Sequence, residues 1–262
     1  MNHGFGVGTQ RSLPAMIGFE LSMQQHTPNL TIPVPRLPSG IPNVPIWRMS
    51  VENYHQMIQA GILKDGDPLE LLQGWLVPKM QKSPRHIYVA SQLEQYIRPR
   101  LPVGWSLFLQ GPITLSDSEP EPDLTVVRGG LRDFSDRHPE PSEIAIVIEV
   151  AHSTLEYDRG LKLQVYANAG IEQYWIVNLL NEQIESYTLP VVSTQTIATG
   201  GTDDIETQFG FPLPQPSAII ARYECRHDYM NGESIPLQLN GQLLGHVSIA
   251  SLMTLPKKSP SP

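Results

Sequence analysis

The chain has 262 residues, 40% of them apolar and 17% charged, with a net charge of −8. This length and apolar content suit one ordinary domain plus tails, or two small domains. The acidic balance excludes a protein that coats nucleic acid through charge alone, while leaving room for a local basic groove. Cys225 is the only cysteine, so no disulfide forms within the chain and no cysteine metal centre is available, which fits a reducing cytoplasm. No basic segment precedes an apolar leader, and no apolar run reaches the ~18 residues of a membrane span. The expectation is a cytoplasmic protein with no membrane partner.

Residues 1–46 hold seven prolines and three charged side chains, Arg11, Glu20 and Arg36. Proline removes donors and restricts its neighbours, so this segment is expected to be a disordered tail, or else an arm around a partner subunit. Residues 47–255 are expected to form a single domain, and residues 256–262 a second disordered tail.

Within the domain, Ser50 is a good N-cap for a helix, with Val51, Tyr54 and Ile58 on one face and Gly61 as the stop. Leu69, Leu71 and Leu72 lead into Gln73-Gly74 and then Trp75-Leu76-Val77, the pattern of a hairpin. Glu70 sits inside the first strand and faces either solvent or a cleft. Ser83 and Pro84 open a second helix, with Ile87, Ala90, Leu93 and Ile97 as its apolar stripe. From Lys79 to Arg100 there are five Lys or Arg residues against one acid, Glu94. This basic segment suits a phosphate-facing surface as well as a solvated one, and makes Lys82, Arg85 and His86 candidate substrate contacts.

Strands are expected around Ser106–Leu109 and Ile113–Leu115. An acidic linker follows, carrying Asp117, Glu119 and Glu121 in what reads as a solvated loop. Asp123 differs because it adjoins the run LTVV directly. The segment RGGLRDFSDRHPEP reads as a mobile polar loop. EIAIVIEV is a continuous apolar run, the mark of a central strand covered on both faces. Glu149 near its end is costly unless paired or bound to a cation. Ser153 or Thr154 caps the next helix, where Leu161, Val165 and Ala169 share one face. Asp158, Lys162 and Tyr166 share another, at i, i+4, i+8 spacing. Gly170 ends that helix, and IEQYWIVN is a further strand. Beyond Glu182 the chain turns strand-like, with runs at QIESYTL, Thr194–Gly201, Ile219–Tyr223 and Leu237–Leu244, which extend or cover the sheet and carry no catalytic pattern.

Asp123 and Glu149, at adjacent strand ends, can hold a hard divalent cation such as Mg²⁺ or Mn²⁺ through oxygen, with the backbone carbonyl of Val150 as a further ligand. Such an ion activates water and stabilises charge on a phosphate under attack. Lys162, on the helix after the Glu149 strand, can reach back and orient that water. Phosphate-loop, dinucleotide-fingerprint and serine-elbow motifs are absent, and the eight histidines form no H-E-x-x-H pair.

The succession ELLQGWLV, SPRH, EPDLTVV, IVIEVAHST and DRGLKLQVYANAGIEQYWIVN resembles the Uma2 (DUF820) family of proposed restriction endonucleases, abundant in cyanobacteria, over residues 51–187. That family is placed in the PD-(D/E)xK nuclease superfamily. The resemblance implies an α/β (α+β) fold with a restriction-endonuclease-like core, a mixed β-sheet flanked by helices. The β-rich C-terminal region would extend it. It also implies that Asp123 and Glu149 are metal ligands, that Glu70 completes the shell and that His86 matches a recurrent histidine of unknown role. The superfamily's lysine should fall two residues after Glu149, but Ala151 stands there, so Lys162 takes its place. Asn178 departs from the family too, since many members carry Asp at that position. The leading expectation is a Mg²⁺-dependent endonuclease acting on DNA, with a homodimer as the expected assembly. The alternatives are a weakly active or inactive nucleic-acid-binding or regulatory protein on the same fold, and an interaction module built on the proline-rich tail.

Overall fold

In this computed structural model, residues 47–64, 66–196 and 217–255 are described. The expected tails at 1–46 and 256–262, and the end of the Thr194–Gly201 run, lie outside the described residues.

Ser50 caps α1 (Val51–Gln59) by accepting the Asn53 N–H at 3.1 Å. Of the face expected from Val51, Tyr54 and Ile58, only Tyr54 is buried. The expected hairpin is β1 (Leu69–Leu72) paired with β2 (Trp75–Pro78), with Leu72 opposite Trp75. Both turn residues have positive φ, 48° at Gln73 and 77° at Gly74, which matches the right-handed twist of the strands. Gly74 is also required by space, because a Cβ there would meet the Arg48 Cβ at 2.6 Å.

Ser83 caps α2 (Pro84–Ile97) through the His86 N–H. Its buried stripe is His86, Val89, Ala90, Leu93 and Ile97. Ile87, expected in the stripe, is 51% exposed, because it lies one step round the helix from the face that His86 sets.

The central sheet has six strands in the order β3 (Trp105–Leu109), β4 (Leu124–Arg128), β5 (Ile144–Ala151), β6 (Gln173–Asn178), β7 (Gln183–Thr196) and β8 (Ser217–Tyr229). Only the β5–β6 pairing is parallel. The other pairings are antiparallel, which makes the sheet mixed. Between β5 and β6 runs one helical stretch. It comprises α3 (Leu155–Tyr157), a π turn (Asp158–Lys162) and α4 (Leu163–Asn168). A hairpin of β9 (Ser234–Leu239) and β10 (Gln242–Ser248) and a short α5 (Ile249–Met253) complete the fold.

The two sheet faces build two cores. Ile146, Ile148 and Val150 of β5 pack with Val89 and Leu93 of α2, Leu237 of the hairpin and Leu252 of α5. Val147 and Ala151 point the other way, to Val165 and Tyr166 of α4 and to Tyr174, Tyr187 and Tyr223. Strand alternation therefore puts Glu149 on the α3–α4 face.

Several expectations change. Ile113–Leu115 is not a strand: the Ile113 and Leu115 N–H groups bond back to Pro120 and Ser118 of the acidic linker and the Thr114 N–H bonds to Pro139, although Ile113 and Leu115 are buried. The linker is not simply solvated, since Glu119 is buried, pairs with His55 at 2.6 Å and bonds through its N–H to the Leu71 carbonyl. The segment read as a mobile loop takes two 3₁₀ turns, Leu131–Phe134 and Pro141–Glu143, tied by Arg137 to Glu143. The single run Leu237–Leu244 is the turn region of a hairpin, with positive φ at Asn240 and Gly241. Helix α5 was not foreseen. The segment is too short for its period to declare itself, and burial of Ile249, Leu252 and Met253 against the sheet fixes it.

Candidate active site

Leu124 of β4 pairs with Ile148 of β5. The residue before Leu124 is Asp123, and the residue after Ile148 is Glu149, so the antiparallel register brings both acids to the same sheet end. The Val150 N–H donates to Asp123 Oδ2 at 2.9 Å, which fixes the carboxylate against β5. His86 Nε2 meets the same oxygen at 2.8 Å. Lys82 Nζ lies 3.4 Å from the other, Oδ1.

The π turn delivers Lys162 to Glu149. Lys162 Nζ donates to Glu149 Oε1 at 2.8 Å, and the Tyr166 hydroxyl donates to the same oxygen at 2.6 Å. Glu70 reaches in from β1, with Oε2 3.6 Å from Lys162 Nζ and also accepting the Glu121 N–H at 3.2 Å. Asp158, Lys162 and Glu149 are all buried, so the i, i+4 pair is not a surface ion pair. Glu70, Lys82, His86, Asp123, Glu149, Val150, Asp158 and Lys162 line one pocket. Arg85 does not line it: it pairs with Glu182 at 2.7 Å, because its position on α2 turns it away from the His86 face. His86 is 8% exposed and bound to Asp123, so in this arrangement it touches a carboxylate rather than open solvent.

The electrostatics are unbalanced. Burial pushes the Glu149 carboxyl up to about 8, with Lys162 only partly offsetting it and Asp123 and Asp158 adding repulsion. Burial likewise pushes Asp158 up to about 6 against the pull of Lys162. Burial would lift Asp123 too, but the His86 contact and the Val150 N–H outweigh it and hold that carboxyl below its ordinary 3.8. For Lys162, burial would lower the ammonium, yet Glu149, Glu70 and Asp158 hold it above its ordinary 10.5. The tendencies of Glu149 and Lys162 conflict, one towards a neutral acid and the other towards a charged pair. The 2.8 Å contact and the three surrounding carboxylates favour a charged lysine. The excess of negative charge then falls on the acids, which take up a proton or a cation.

That excess supports a hard divalent cation, as does the bonding. Asp158 Oδ2, Tyr157 OH and His86 Nδ1 are buried at this pocket without a hydrogen-bond partner. The donor chemistry, several carboxylate oxygens, fits Mg²⁺ or Mn²⁺. Among the described residues no group of three or more His, Cys, Asp or Glu is already disposed around one point to hold a metal ion. Lys162 and Tyr166 already engage Glu149 Oε1, and His86 engages Asp123 Oδ2.

A second buried acid, outside the sequence expectations, lies on the same face. Glu185 of β7 is 0% exposed. It accepts Arg159 Nε at 2.9 Å and Nη2 at 2.6 Å, Asn178 Nδ2 at 2.9 Å and the Tyr187 hydroxyl at 2.9 Å. Arg226 Nη2 stands 3.2 Å away. The only sequence signal was an acid inside an apolar-alternating strand.

The described residues form an α+β architecture, a mixed sheet flanked by helices with clustered acids and a lysine at one sheet end. The family model Uma2, described as "Putative restriction endonuclease", matches residues 51–213. The chain belongs to the Uma2 family, and a nuclease activity is what that family description carries. One solved structure similar to it is described as a "putative nuclease belonging to DUF820 from Anabaena variabilis ATCC 29413". The two share 15% identity with a TM-score of 0.48, over 80% of this chain and 98% of that one. No significant match was found among curated proteins. Among the described residues, no helix is long and apolar enough to cross a membrane.

Proposed function

We propose that the protein is a Mg²⁺- or Mn²⁺-dependent endonuclease that hydrolyses DNA phosphodiester bonds in this pocket. The observation that carries the reading is the meeting of Glu70, Asp123, Glu149 and Lys162, from three elements and the residue before β4, in one pocket with more carboxylate than cation. Asp123 and Glu149 would hold the ion, with Glu70 and the Val150 carbonyl as further oxygens. The ion would supply Lewis-acid activation of water and charge neutralisation at the phosphate. Lys162 is held charged, so it donates hydrogen bonds and does not abstract a proton. It orients the attacking water and offsets charge developing on the phosphate oxygens. Tyr166 donates to the lysine's own acceptor and so fixes the rotamer of Glu149. Lys82 and Lys79, at the pocket rim, would meet the DNA backbone; Lys79 is paired to Glu121. Cutting both strands of a duplex calls for two pockets, which a homodimer would supply.

The test is plasmid and single-stranded DNA cleavage with Mg²⁺ or Mn²⁺, beside Asp123→Ala and Lys162→Ala. Metal-dependent nicking lost in both variants is expected. Nicking that survives in Asp123→Ala would mean that the site lies elsewhere. A second reading, a nucleic-acid-binding protein with little or no cleavage, is favoured by the lack, among the described residues, of three acids already gathered around one point. Salt-sensitive DNA binding without metal-dependent turnover would select it.

A further inference from the structure

The strand register sets Glu149, Ile176 and Glu185 side by side on β5, β6 and β7, facing the same helical stretch. Two acids on one face of the sheet are thus separated by one apolar side chain. The π turn crosses above them and sends one cation to each. Lys162 goes to Glu149, and Arg159, three residues earlier, goes to Glu185. A π turn spends an extra residue per hydrogen-bonded ring, so its side chains fan out more widely than those of an α-helix. That is the geometry needed for one turn to straddle Ile176. The turn is pinned a third time where the Tyr174 hydroxyl donates to the Asp158 carbonyl at 3.1 Å.

We propose that Glu185 is a positioning residue: through Arg159 it fixes the rotation of the π turn, and so fixes where Lys162 and Asp158 stand in the pocket. Glu185 does not line the pocket and touches none of its acids. It is oriented from every side, by Asn178 and Gln183 at the β6–β7 turn, by Tyr187 on its own strand and by Arg226 on β8. A buried ion pair of this kind adds little net stability compared with apolar packing of the same volume. What it does impose is direction, since a bidentate guanidinium–carboxylate fork admits one relative orientation. The fork is built on a rigid strand, whereas the turn it holds contains Gly160 and no side-chain cap. Loss of the fork would let the turn relax towards ordinary α geometry and swing Lys162 off Glu149.

The kinetic part of the test rests on the endonuclease reading; the spectroscopic part does not. In full-length protein with isotopically labelled lysine, an ammonium held against a buried carboxylate exchanges its protons slowly and gives its own resonance, assigned by Lys162→Arg. Arg159→Ala and Glu185→Gln are expected to abolish that resonance or move it to the position of exposed lysines, while the circular dichroism spectrum stays native. Arg159→Lys, which keeps a charge but not the fork, is expected to restore it only in part. In cleavage assays Arg159→Ala is expected to lower kcat about 100-fold while KM moves less than about twofold, because the lysine is displaced and not the DNA-contacting rim. A Lys162 resonance left at its wild-type position in folded Arg159→Ala would overturn the proposal. If Glu185→Gln does not fold, the two Arg159 variants decide, since that side chain is partly exposed. Absence of cleavage by the wild-type protein would count against the nuclease reading alone, because the lysine resonance is read without substrate.

Discussion

Glu149 and Glu185 lie on the same sheet face, both buried and each facing a cation from the same turn, and they end in opposite electrostatic states. Burial pushes Glu149 up to about 8. Glu185 is held below its ordinary 4.5, because Arg159, Asn178, Arg226 and Tyr187 outweigh a lighter desolvation. The difference lies in the depth of desolvation and in the cations that face each acid. Glu185 is bonded from strand, turn and helix. Glu149 accepts from Tyr166 and from a lysine that it shares with Glu70 and Asp158, and it has Asp123 as a near neighbour. A buried acid whose charge is matched holds structure in place. One left short of positive charge, in a pocket with buried polar atoms that lack partners, is poised for a ligand.

Variants can break this comparison, and the largest effect belongs to the side short of positive charge. Lys162→Ala and Asp123→Ala are expected to cost metal-dependent nicking about a thousandfold or more, roughly 4 kcal/mol of transition-state stabilisation, read as single-turnover plasmid cleavage. The separator comes next. Ile176→Ala is expected to destabilise the fold by about 3 kcal/mol in urea unfolding, since that side chain is fully buried between the two acids. Glu185→Gln is expected to cost about 2 kcal/mol. That is less than a fully enclosed pair, because Arg159 can turn to solvent. Tyr187→Phe, which removes one donor from Glu185, is expected to cost about 1 kcal/mol.

The pH dependence of stability separates the two acids further. The folded protein keeps a proton on Glu149 that the unfolded chain releases. That contribution is full below about 4.5 and is lost as the pH rises towards about 8. Glu185 does the reverse: its contribution is present above 4.5 and is lost as the pH falls below that value. Melting curves in chelator should therefore lose their decline between pH 4.5 and 8 in Glu149→Gln. Their acid limb should soften in Glu185→Gln. If the two variants give the same profile, the contrast between the acids is wrong.

Much of the fold was legible residue by residue. The hairpin at Gln73-Gly74 declared itself through turn chemistry, α2 through Ser83-Pro84, and β5 through its unbroken apolar run. The i, i+4, i+8 set of Asp158, Lys162 and Tyr166 survived a π turn in its first half, because two of its three members converge on one acid. Other features were hidden for specific reasons. Ile113–Leu115 has a strand's composition, but its N–H groups find partners in the linker and at Pro139 rather than in the sheet. Arg85 and His86 are neighbours in sequence, and helical rotation sends one to Glu182 and the other to Asp123. Asn178 looked like a departure from the family pattern. In the structure its amide donates to Glu185, where a carboxylate would have added a second charge.

The sequence alone determined the order of elements, the two-sided burial of the central strand and the candidate acids and lysine, because these follow from local periodicity, turn chemistry and the cost of burying charge. Only the tertiary structure decided which acids are left short of positive charge. That depends on strand register, on the extra residue of the π turn and on how many donors reach each carboxylate from elements distant in the chain.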